Sequence, residues 1–178
     1  MNYVCGHLTV VLLVGTPGTC STQAADVWTG PRITFSKPTN SDWKLPSNQD
    51  RITSNVWITR SIASGLFNAR TESGYVFNYS PDDTEWAFGT TADIGSVSFQ
   101  NWREAVFENP PASVGQDMVL HLISEDIFID LKFLSWAGVD NGSFSYERST
   151  PSIPEPSTVG LLLIGAARTS TLRRRRLR

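Results

Sequence analysis

The chain has 178 residues, 40% of them hydrophobic and 18% charged, with a formal net charge of −2. It is long enough to bury one core without cross-links, and too apolar for a disordered chain. Charge is divided unevenly: residues 26–150 carry nine Lys and Arg against sixteen Asp and Glu, a net −7, while the stretch from Pro151 onward carries six Arg and one Glu. An acidic domain repels phosphate backbones, which argues against nucleic acid as its partner.

In chain order, residues 1–25 read as an export signal that forms a signal helix. Leu8 to Val14 is a compact apolar core, and Thr22-Gln23-Ala24-Ala25 supplies small residues for cleavage. Both cysteines, Cys5 and Cys20, fall inside this segment. The mature chain is then expected to have no disulfide framework, catalytic thiol or Cys-rich metal site.

Residues 26–150 form one domain, and its pattern is almost wholly β. Strands are expected at Ile33–Phe35, Val56–Thr59, Leu66–Thr71, Tyr75–Tyr79, Glu85–Gly89, Ser96–Phe99, Met118–Ile123, Ile127–Trp136 and Ser143–Glu147. They are rich in β-branched and aromatic residues, and Pro, Gly, Asn, Asp and Ser collect between them. Only Asn101–Phe107 has a helical pattern. The fold class that follows is all-β: a single antiparallel β-sandwich, jelly-roll-like. Its centre is expected at Met118–Trp136, as a hairpin with Ser124-Glu125-Asp126 for a three-residue loop. That register sets Val119, His121, Ile123, Ile127, Ile129, Leu131 and Phe133 on one face. Leu120, Leu122, Phe128, Asp130, Lys132, Leu134 and Trp136 take the other.

Chemistry is sparse in this pattern. His121 is the one histidine of the domain, and on an apolar strand face a satisfied structural histidine is the expected reading. There is no nucleophile elbow, zinc-protease motif, phosphate-cradling glycine loop or EF-hand loop, so no catalytic residue is assigned. Glu125, Asp126 and Asp130 near the hairpin are the carboxylates that a glycoside hydrolase would recruit. Asp82, Asp83, Glu85, Asp140 and Asn141 are weak calcium candidates, because an exported acidic domain meets Ca2+ outside the cell; no other cofactor is expected. Six tryptophans give a further option. Trp57, Trp86 and Trp136 sit inside strand patterns where burial is expected, whereas Trp28, Trp43 and Trp102 lie nearer loops and are the candidates for stacking on sugar rings.

The end of the chain is the most specific stretch. Residues 151–157 form a proline-rich linker containing Pro154-Glu155-Pro156, which can continue neither a helix nor a ladder and stays open to a protease. Residues 158–178 follow as a short apolar helix, Val159 to Ala167, and a basic tail with Arg173, Arg174, Arg175 and Arg176, which belong on the cytoplasmic side of a membrane. The three parts in this order resemble the PEP-CTERM sorting signal of bacterial exported proteins. Stretches such as Val56 to Arg60, Thr84 to Thr90 and Asp126 to Trp136 likewise look like uncharacterised β-rich exported proteins that end in such tails. The resemblance implies transient anchoring in the inner membrane, recognition by a membrane-embedded exosortase-type protease, and release to the cell surface or extracellular matrix, where exopolysaccharide is the expected neighbour. The expected role is a non-catalytic structural or glycan-binding β-sandwich; the alternative is an extracellular carboxylate-dependent glycan-active enzyme.

Overall fold

The computed structural model describes residues 25–62, 64–138 and 141–153. The export segment with Cys5 and Cys20, Asp140, the Pro154-Glu155-Pro156 motif, the apolar tail and Arg173 to Arg176 lie outside the described residues. Among the described residues no helix is long and apolar enough to cross a membrane.

The domain is all-β, with mostly antiparallel sheets and little helix. Among the described residues nine strands run in chain order: β1 (Asp26–Trp28), β2 (Gly30–Lys37), β3 (Asp50–Arg51), β4 (Trp57–Arg60), β5 (Leu66–Asn68), β6 (Thr84–Phe88), β7 (Asp117–Leu122), β8 (Ile127–Trp136) and β9 (Phe144–Thr150). The larger sheet has the order β2-β9-β8-β7-β6, and β1 adds to it by pairing parallel with the first three residues of β8. β3, β4 and β5 form a second, antiparallel sheet. One helix, α1 (Trp102–Ala105), falls within the stretch that the pattern marked as helical. Asn101 caps it by accepting the Glu104 N–H through its side chain, satisfying one of the free donors of the first turn.

Register explains the core. On one face of the larger sheet Trp86, Leu120 and Ile129 lie opposite one another across three strands, beside a second row of Phe35, Tyr146 and Phe133. Val56, Ile58 and Leu66 of the smaller sheet and its approach enter the same cluster. Trp86, Leu120, Ile129, Phe133 and Tyr146 are all fully buried, and each such side chain contributes about 1.5–3 kcal/mol.

The expected hairpin register is corrected. Leu122, not Ile123, pairs with Ile127, so the β7–β8 loop has four residues, Ile123 to Asp126. A change in loop length by one reverses the faces of β7. Leu120 and Leu122 therefore join Ile129, Leu131 and Phe133 in the core, while Val119 and His121 face the opposite side with Phe128 and Asp130. The left-handed position for which no glycine is available is filled by Asp126 at φ 51°, a conformation that Asp tolerates better than most residues.

Two expected strands are loops. In Tyr75 to Tyr79, Asn78 takes φ 66° and the Tyr79 N–H returns to the Val76 carbonyl, closing a turn. Phe77 and Tyr79 are 59% and 66% exposed, so alternating aromatics here signalled surface and not a strand. Ser96 and Val97 donate back to the Asp93 carbonyl, and only Gln100 makes an isolated bridge to Trp86.

Buried charge ties the sheets together. Asp50 of β3 accepts from Arg148 of β9 through Nε (2.7 Å) and Nη2 (2.9 Å), and from the Tyr146 hydroxyl (2.7 Å). Burial, reinforced by the Asp50 charge and its hydrogen bond, raises the Tyr146 hydroxyl well above the ordinary tyrosine value. At one end of the sheets two buried cations, Lys37 and Arg60, hold main-chain carbonyls. Lys37 donates to Ser41 and Gly142; Arg60 donates to Ser64, Ala137 and Ser143. Burial, then the nearby Arg60 charge, lowers the Lys37 pKa, with Asp42 opposing.

Candidate functional site

Strand ends and loops, which the sheets hold in place, bring aromatic rings and arginines together in one basin. Arg60 closes β4 and Trp136 closes β8, so both leave their ladders at the same end of the molecule. Their side chains meet there, with the guanidinium carbon 4.1 Å from the Trp136 ring centroid. The first turn of α1 brings Trp102 and Arg103 to the same place. Trp102 packs 5.7 Å from Trp136, 5.1 Å from Phe133 and 4.9 Å from Trp86, which fixes the floor. The loop after β5 supplies Tyr75 and Phe77, and Arg103 stacks its guanidinium 4.1 Å over Phe77. Together these residues enclose about 410 Å³, with Ser64, Gly65 and the Pro110-Pro111 turn at the margin. Gly65 matters because a Cβ there would lie 2.6 Å from the Tyr75 ring; its absence lets that ring rest on the backbone.

The electrostatics of the basin are one-sided. Both charged residues that line it are arginines, in a domain of net −7. Burial lowers the Arg60 pKa to about 10, which leaves it charged at neutral pH. Its Nε and one terminal nitrogen are taken up by the three carbonyls. Arg103 shares one terminal nitrogen with the exposed Glu108 carboxylate at 3.2 Å. Trp102 Nε1 and Arg103 Nε are buried and have no hydrogen-bond partner among the described residues. Both of these buried, unpartnered side-chain atoms are donors.

The stacking candidates are divided by the structure. Trp28 is corrected: it is 6% exposed in β1 and belongs to the core, where it presents no ring face to a ligand. Trp102 is 1% exposed and forms the basin floor beneath more open rings. Trp43 is half-buried, edge-on to Phe67 at 5.0 Å, and lines a separate hollow with Asn40, Asp42 and Ser61. Trp57 and Trp136 are less buried than their strand patterns imply. Trp57 faces outward on the smaller sheet with Arg51 4.0 Å and Arg70 5.6 Å from its ring.

Among the described residues the calcium candidates engage separate partners. Asp83 accepts from the Ser124 N–H and hydroxyl and pins the β7–β8 loop; Glu85 meets His121; Asn141 accepts from the Ser143 N–H. Asp82 lines a polar hollow beside Asp83, Asn55 and Arg70. Among the described residues no group of three or more His, Cys, Asp or Glu is placed to hold a metal ion.

The hairpin carboxylates are also separated. Asp130 accepts from the N–H and hydroxyl of Thr91, Glu125 from the Thr53 hydroxyl, and Asp126 approaches His121 Nε2 at 3.3 Å. His121 has its other nitrogen 2.8 Å from Glu85 Oε1 and its ring stacked 4.1 Å from Phe128. With both nitrogens engaged, it has no lone pair directed at a substrate.

Arg60, Tyr75, Phe77, Arg103 and Trp136 were not singled out from sequence. A strand-ending arginine and a loop aromatic carry no periodic signal. The one available sign was the density of aromatic residues around a helical turn. No protein-family model matches the chain, and no curated protein or solved structure matches it.

Proposed function

We propose that this chain is an exported protein whose β domain serves, without catalysis, as a structural or glycan-binding unit of the cell surface or extracellular matrix. The sorting half of the proposal rests on the Pro154-Glu155-Pro156 triplet, the apolar run and the arginine tail. In it, the tail holds the chain transiently in the inner membrane until an exosortase-type protease acts near the triplet. The architecture we assign is a β-sandwich, favoured by a single core shared between the six-stranded and three-stranded sheets. The jelly-roll resemblance rests on β2 returning to pair with β9, whereas β6 to β9 follow one another as a meander.

The observation that carries the binding half is the basin, in which aromatic faces and guanidinium donors converge without a carboxylate in its lining. Such walls suit an oxygen-rich ring better than a purely apolar ligand. The non-catalytic reading is favoured by the hairpin carboxylates: Asp130, Glu125 and Asp126 each serve a local hydrogen bond. The alternative, a carboxylate-dependent glycan-active enzyme, would have to free one of these three from its local partner.

Intact mass of the protein recovered from its native host, in membrane and extracellular fractions, tests the sorting route. The expected result is an extracellular species lacking both the first 25 or so residues and the segment beyond the triplet. A full-length tail in every fraction would refute it. Glycan incubation with product analysis tests the absence of catalysis, and any sugar release lost on Glu125→Gln would favour the alternative.

A further inference from the structure

We propose that the basin between Arg60, Arg103, Phe77 and Trp136 binds a carboxylated sugar, a hexuronate residue within an acidic polysaccharide. This rests on the glycan-binding reading above and narrows it to one class of ligand.

Three independent features point to an acid. The first is charge: on a domain of net −7, a concavity lined by two arginines and no carboxylate would repel a cationic ligand and attract an anionic one. The second is the donor inventory. Trp102 Nε1 and Arg103 Nε are buried and unpartnered, and the second terminal nitrogen of Arg60 meets no acceptor among the described residues. Indole and guanidinium nitrogens only donate, so the group that satisfies them must be an acceptor, and a carboxylate offers two oxygens to a guanidinium fork. The third is pre-organisation. Arg60 is 3% exposed, fixed by three carbonyl oxygens and by the Trp136 ring, so little side-chain entropy remains to be lost on binding.

The apolar half of the site fits the other half of the ligand. Tyr75, Phe77 and Trp136 present rings at the margin of a space of about 410 Å³, within the range of roughly 300–1,000 Å³ usual for ligand pockets. A pyranose has one face of C–H groups that packs on such rings while its carboxylate reaches the guanidinium groups.

The test uses the full chain and three probes: oligogalacturonate, the same oligomer after reduction of its carboxyl groups to primary alcohols, and dextran. Binding is read by titration calorimetry at fixed salt. The expected result is that oligogalacturonate binds and the reduced oligomer is at least about tenfold weaker. Arg103→Gln and Phe77→Ala should each weaken oligogalacturonate by about tenfold or more, while Arg32→Gln, on the exposed edge, leaves it unchanged. Phe77 is 59% exposed, so its variant is expected to keep the fold, which thermal unfolding verifies. Equal binding of the reduced oligomer or of dextran, or oligogalacturonate binding untouched by both basin variants, overturns the inference and leaves glycan binding standing. No binding of any of the three removes both.

Discussion

Replacing Asp50 with alanine is the sharpest test of how the two sheets are joined. The Asp50 and Arg148 side chains are 8% and 5% exposed, and the carboxylate takes both guanidinium bonds and the Tyr146 hydroxyl at 2.7–2.9 Å. Asp50→Ala removes all three acceptor contacts, leaving the guanidinium without a counter-charge, held only by the Ser149 carbonyl, and the Tyr146 hydroxyl without its acceptor. Breaking a buried pair from one side costs about 3–5 kcal/mol, because the remaining charge is uncompensated. A domain of roughly 125 residues has an unfolding entropy near 2.1 cal/mol/K per residue, so each kcal/mol lowers Tm by about 4 °C, and the variant should melt about 12–20 °C lower. Urea unfolding followed by tryptophan fluorescence gives the free energy directly, since Trp86 and Trp102 are fully buried. Tyr146→Phe keeps the ion pair and loses one hydrogen bond, for about 1 kcal/mol. The double change Asp50→Leu with Arg148→Met removes both charges and should cost far less than Asp50→Ala. A cost below about 1 kcal/mol for Asp50→Ala would mean that Arg148 is solvated in solution and that this pair does not tie β3 to β9.

The same cluster makes alkaline stability pH-dependent. The folded Tyr146 pKa is raised, so the unfolded chain releases that proton first as pH passes 10.0. Stability is therefore fully present below that value and falls above it by about 1.4 kcal/mol per pH unit until the folded group titrates. Absorbance at the phenolate band should show Tyr146 ionising only with unfolding, and simple titration of every tyrosine in the folded domain would refute this. Leu120→Ala should cost about 2–5 kcal/mol in urea unfolding, as a fully buried core residue; a cost below about 1 kcal/mol would restore the slipped register. Gly142→Ala should destabilise by at least about 1–3 kcal/mol, because φ is 68° and the new Cβ would lie 2.7 Å from the Ser61 carbonyl oxygen and the Ile62 Cα. An unchanged midpoint would show that the β8–β9 connection is not held against β4 as described. Gly65→Ala should displace the Tyr75 ring and lower basin affinity while the melting midpoint moves little, a split that a purely structural glycine would not produce.

Much of the fold was legible because the signal was local. Ile127–Trp136 is a strand over the residues expected, since ten residues of apolar and β-branched character bounded by turn residues leave little choice. The helical turn within Asn101–Phe107 was equally readable. The all-β class, the acidic balance of residues 26–150 and the aromatic surplus were determined by the sequence alone, because composition and alternation act within a few residues. What tertiary structure decided depended on parity and on distance. One loop residue in the β7–β8 hairpin set whether Leu120 or His121 faces the core, and Asp126 takes the left-handed position in a loop that Asp83 pins through Ser124. The basin lay further out of reach. Arg60, Phe77, Arg103 and Trp136 come from four segments separated by many residues, and each by itself looks like an ordinary strand end, loop or helical turn. Only closure of the two sheets on one core brings these ends together, where buried carbonyls hold a cation that the sequence would have left at the surface.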